Sequence, residues 1–106
     1  MSAEPVANAQ RGEASVRVGG ATVVLRPTFA ALVAAEEELG PLFALVERAA
    51  DGRLRLAELV ALFWHCRHAA PPELTRERVG EAVAAAGLSA ATPALRALLR
   101  QILAGA

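Results

Sequence analysis

Ala14-Ser15-Val16-Arg17-Val18-Gly19-Gly20-Ala21-Thr22-Val23-Val24-Leu25 is the stretch that decides the fold class. Up to Val18, apolar and polar residues alternate with a period of two, as in a strand with one buried face. Gly19-Gly20 then separates two short runs, which is the pattern of a two-residue hairpin turn with positive φ angles. The turn sets the register. Val18 faces Ala21, Val16 faces Val23 and Ala14 faces Leu25, so these six residues share one apolar face. On the other face Glu13 meets Arg26, an opposite-charge cross-strand pair. A lone hairpin is marginal in water, so Val16, Val23 and Leu25 are expected to pack against the rest of the chain.

Outward from the hairpin the pattern changes on both sides. Residues 1–11 are small and polar, with Pro5 and Asn8, and read as a flexible tail before a single domain over 12–106. After the hairpin, Pro27-Thr28 opens a first helix with Phe29, Leu32, Val33 and Leu39 on one side. Gly40 stops it, and Pro41 stands at the favoured first position of a second helix, where Leu42, Leu45, Val46 and Ala49 repeat the spacing. Asp51-Gly52 ends that helix, and a third carries Leu56, Leu59, Val60 and Phe63 up to the break at Pro71-Pro72. Thr75 is an N-cap for a fourth, with Leu74 and Val79 at the hydrophobic-staple positions. Gly87 suits a left-handed cap that would bring Leu88 onto Val83. Thr92 and Pro93 open a fifth, with Leu95, Leu98, Leu99 and Ile102 as its stripe. The expected fold is α+β, mainly α: an N-terminal β-hairpin followed by a bundle of about five short helices.

Composition narrows the function. Of the 106 residues, 55% are hydrophobic, but 26 are alanine, which favours helix and buries little surface. Leu and Val supply enough bulk for one modest core. Eleven arginines balance eleven acids, with no basic excess of the kind nucleic-acid binding needs. Cys66 is the single cysteine, which excludes an internal disulfide and suits a reducing compartment. The first residues lack the apolar segment of a signal peptide, and no run of about 18 apolar residues exists to span a membrane. The expectation is a cytoplasmic protein with no nucleic-acid or membrane partner.

Candidate chemical groups are few. His65 and His68 stand three apart at the end of the third helix, close enough to share a metal, but Cys66 points about 100° away from His65. A structural zinc site needs four ligands, and the chain holds no other His or Cys, so no metal is expected. Glu36, in the run Glu36-Glu37-Glu38, falls back onto the apolar stripe. It reads first as an ion-pair partner of an arginine such as Arg26, and otherwise as a contact to a partner protein. Gly19-Gly20 lacks the further glycine of a dinucleotide fingerprint. No catalytic residue or cofactor is expected.

The order of these features resembles one family. Arg11-Gly12-Glu13, the short hairpin, Leu25-Arg26-Pro27-Thr28-Phe29 and Glu37-Glu38-Leu39-Gly40 are similar to the opening of small tail-assembly chaperone-like proteins of gene transfer agents and related prophages. Leu59 to Arg67, and Leu74-Thr75 through Val79-Gly80 to Ala86-Gly87-Leu88, resemble the family's third and fourth helices. Trp64-His65-Cys66-Arg67-His68 departs from it in being more polar and aromatic. The resemblance implies a non-enzymatic chaperone that coats the tape-measure protein until tail-tube subunits polymerise around it. Some descriptions of the family label its members as tail-tube components instead. A structural tail component retained in the particle is therefore the alternative, and a generic protein-binding adaptor is a third. The tape-measure protein, and the tail-tube protein beside it, are the implied partners.

A binding surface can be guessed from an apolar surplus. The third helix has Leu62 and Trp64 off its main stripe, and the fifth adds Leu103 near its end. So small a domain is not expected to enclose them all. Leu62, Trp64 and Leu103, with Glu36, are the expected partner-binding residues, and self-association is a further possible use of the same surface.

Overall fold

The computed structural model describes residues 13–105. The tail expected over 1–11 lies outside the described residues. The hairpin pairs β1 (Ala14–Val18) with β2 (Ala21–Leu25) in the expected register, Ala14 with Leu25, Val16 with Val23 and Val18 with Ala21. Of the two turn glycines only Gly19 takes a positive φ, 62°. The turn therefore requires glycine at its first central position alone, a correction to the expected pair of positive angles. Glu13 and Arg26 do bond, Arg26 Nε donating to Glu13 Oε2, but the Glu13 side chain is almost fully buried and does not lie on a solvated face.

The helices follow as α1 (Phe29–Leu39), α2 (Leu42–Ala50), α3 (Leu56–Cys66), α4 (Arg76–Ala86) and α5 (Leu88–Ala104). α3 is the central element. It buries Leu59, Val60, Ala61, Leu62, Phe63 and Cys66, and both α1 and α4 pack on it. α4 and α5 pack on each other and on β1, so the hairpin closes one side of the core with Ala14, Val23 and Leu25. α2 supplies Leu45 to the same core and packs Leu42 against it, while Val46 and Ala49 are half-buried. Where α3 ends, Arg67–His68 forms β3, antiparallel to β2, making the sheet order β1-β2-β3. Two residues carry no periodicity, so this strand leaves no trace in the sequence. It makes β2 a central strand, and Val24 is buried beside its partner His68.

Two helices differ from expectation. α1 turns Leu32, Ala35 and Leu39 inward, and leaves Phe29 86% exposed and Val33 partly so. Ala35 is fully buried, so α1 meets its neighbours through a small residue, and Phe29 stands at the helix tip next to the Thr28 cap. In an alanine-rich helix the large residues need not mark the inner face, because alanine permits the closer approach. α5 begins at Leu88 and not at Pro93. Gly87, at φ 91° and ψ 149°, ends α4 and starts α5 at once, in a region of backbone space almost restricted to glycine. Pro93 lies inside α5, where it removes only the bond that its nitrogen would give to the Ser89 carbonyl. Thr92 is not a cap; its hydroxyl donates to the Leu88 carbonyl at 3.0 Å. The chain bends by 119° between the two helices, and Leu88 is 57% exposed and outside the core cluster that holds Val83. No single described helix is long and apolar enough to cross a membrane.

Candidate protein-binding surface

The four residues expected to bind a partner do not come together. Leu62 is fully buried, a correction to its expected exposure: α3 is covered on nearly every side, so a surplus of apolar residues there is core. Trp64 is half-buried and packs against the core. Its ring is capped by the Arg67 guanidinium, 3.5 Å from the ring centroid, while Arg67 Nη1 donates to the Trp64 carbonyl at 2.6 Å. Glu36 forms no ion pair with an arginine among the described residues. Its Oε2 accepts from the backbone N–H of Leu42 at 3.1 Å, so it caps the start of α2 across the Gly40-Pro41 turn. Arg26 is engaged by Glu13 instead. Leu103 alone is a large apolar side chain open to solvent, at 58% exposure.

Leu103 is the end of a longer surface. α5 carries two apolar stripes. Ala91, Ala94 and Leu98 face the core. Leu88, Leu95, Leu99 and Leu103 run along an adjacent line at helical spacing. Between this second stripe and α2 lies an open groove of about 500 Å³, floored by Leu95, Leu99 and Leu103 and walled by Val46, Ala49 and Ala50. A smaller hollow of about 120 Å³ continues it toward Leu54, Leu56 and Leu88, and Thr92 and Leu95 line both. The charged side chains on the large groove are Arg96 and Arg100.

The polar groups serve structure. Glu38 is the hub: Arg76 of α4 donates to one carboxylate oxygen, and His65 Nε2 of α3 lies 2.8 Å from the other. The hydrogen bond from Arg76, then that from His65, hold the Glu38 carboxyl below the usual carboxylate range against an opposing effect of burial. Glu58 accepts from the Arg55 backbone N–H at the head of α3 and from Arg48 of α2, and is lowered for those reasons in that order. Cys66 is buried, and burial pushes its thiol up to about 12. His65, Cys66 and His68 thus do not converge: His65 bonds Glu38, Cys66 is buried in the core, and His68 is exposed on β3. Among the described residues, no group of three or more His, Cys, Asp or Glu is placed to hold a metal ion.

The sequence places Leu95 and Leu99 on the stripe of the fifth helix without marking them as partner-binding residues. What sets them apart is that α5 has apolar residues on two adjacent lines, with arginines at 96 and 100 bordering one of them. The family model described as phage tail tube protein, GTA-gp10, matches residues 11–105. No curated protein and no solved structure matches the chain.

Proposed function

The chain belongs to the phage tail tube protein, GTA-gp10, family and is a tail component of a phage or gene transfer agent, and we propose that it is a non-enzymatic tail-assembly chaperone for the tape-measure protein. The observation that supports this most is the open apolar groove between α2 and α5 on a protein of a tail family. A tape-measure chain is long, helical and apolar on one side, and aggregates if left free. A groove floored by leucines can cover one such helical face. Each leucine covered contributes about 1.5–3 kcal/mol, much of it offset by the cost of association. Contacts of this kind, repeated along a long chain, hold it soluble and still release it to tube subunits. The protein would act in the cell that produces the particle, with no catalytic step.

A second reading, a tail-tube component retained in the particle, rests on the family's own description. Against it, the described strands are of five, five and two residues, too little sheet for the wall of a stacked-ring tube. Two measurements separate the readings. Co-expression with the tape-measure protein of the same particle should keep that protein soluble and co-purify with it; an insoluble tape-measure protein would overturn the chaperone reading. Mass spectrometry of purified particles should find the chain absent or scarce. Finding it in stoichiometry with the major tube subunit would establish the second reading.

A further inference from the structure

We propose that the α2–α5 groove takes an amphipathic helix with an apolar stripe bordered by carboxylates. The inference rests on the protein-binding reading above and adds the chemistry of the partner. Arg96 and Arg100 lie on the groove, and among the described residues no carboxylate lines it. Neither arginine forms an ion pair among the described residues, whereas Arg26, Arg48, Arg53 and Arg76 all do. The two stand four apart on one helix, an arrangement that is slightly destabilising through like-charge repulsion. Glutamates or aspartates bordering the stripe of an incoming helix would remove that repulsion and supply planar two-point partners for the guanidinium groups. The floor residues Leu95, Leu99 and Leu103 present the spacing a helix reads with its own i, i+4 and i+7 positions. A second copy is the poorer occupant, because a two-fold contact through this face would set Arg96 and Arg100 against their own equivalents.

The test uses the full chain and two synthetic helices of about four turns, long enough to be recruited as helix on binding. Both carry leucines at i, i+4 and i+7. One has glutamates beside the stripe and its twin has lysines. Fluorescence anisotropy should show the glutamate helix binding at least about tenfold more tightly at low salt, with the gap narrowing as salt rises. Arg96→Glu with Arg100→Glu should reverse the preference, and the neutral pair Arg96→Gln with Arg100→Gln should abolish it, both with the parental melting temperature. Equal affinity for the two helices overturns the proposal, as does a preference that survives charge reversal. Concentration-dependent dimerisation that Leu103→Ser removes overturns it too, and assigns the face to a second copy. The two inferences fail separately. If the charge-reversed variant still solubilises the tape-measure protein as well as the parent does, the acidic-helix proposal falls and the chaperone reading stands. If the parent discriminates the helices but holds no tape-measure protein, the proposal stands and that reading falls.

Discussion

α3 and α5 are both rich in leucine, and the molecule uses them in opposite ways. α3 spends its apolar residues in every direction: Val60, Leu62 and Phe63 sit at widely different angles around the helix and all are buried. α5 has two stripes side by side, and only Ala91, Ala94 and Leu98 are fully enclosed. A helix apolar all round belongs at the centre of a domain. A helix with a second line of leucines, bordered by arginines that form no ion pair among the described residues, has a face to spare. The surplus that matters for docking is therefore the one with a polar border.

That contrast can be broken most directly at Cys66. Its thiol lies in the core with its pKa pushed up to about 12, so alkylation at neutral pH should proceed only through unfolding. Labelling should be slower than that of the denatured chain by about a thousandfold or more, in line with ordinary domain stability. Fast labelling of native protein would mean that α3 is not enclosed. Next in size is Leu62→Ser, which removes a fully buried leucine and inserts a hydroxyl. It should cost about 3–5 kcal/mol in chemical denaturation, enough to unfold a small domain at moderate temperature. A loss under about 1 kcal/mol would put Leu62 back on the surface.

A smaller effect is expected where α1, α3 and α4 are tied through Glu38. Its carboxyl is held low by Arg76 and His65, so in the folded state it ionises more readily than in the unfolded chain. Such a group stabilises above the ordinary value of 4.5 and loses that contribution as the pH falls below it. The side chain is 40% exposed, so solvent screening keeps the contribution under about 1 kcal/mol. Glu38→Gln should flatten the acid limb of the stability–pH curve and leave neutral pH nearly unchanged; an acid limb identical to the parent's would show that Glu38 is uncoupled from folding. The smallest change in stability belongs to Leu103→Ser, within about 0.5 kcal/mol of the parent. The same variant should lose its hold on the tape-measure protein. A melting temperature far below the parent's would make Leu103 core and close the groove as a site.

The hairpin was legible because its signals are local. Alternation, a Gly-Gly turn and the opposed Glu13 and Arg26 specify register without reference to the rest of the fold. The cap at Thr75 and the stop at Gly40 were legible for the same reason. The start of α5 was not. Thr92-Pro93 satisfies every local rule for a helix N-terminus, yet Gly87 provides a corner five residues earlier, and packing of α5 against β1 and α4 favours the longer helix. The inner face of α1 was misread because close approach through Ala35 outweighs the size of Phe29, a choice made by the neighbouring helices. For the candidate surface, the exposure expected of Leu103 is found and that expected of Leu62 is not. Periodicity counts the stripes on a helix but does not say how many neighbours will cover them.

The corner at Gly87 carries a consequence for copy number. One residue separates α4 from α5 and turns the chain through 119°. Straightened, the two would run as a single rod of about 43 Å. α5 would then leave β1 and Leu98 would leave its own core, free to dock in the same place on another chain. Every contact would be remade across two molecules, and only the corner would be lost. A side chain at position 87 would oppose the φ of 91° on which this corner depends.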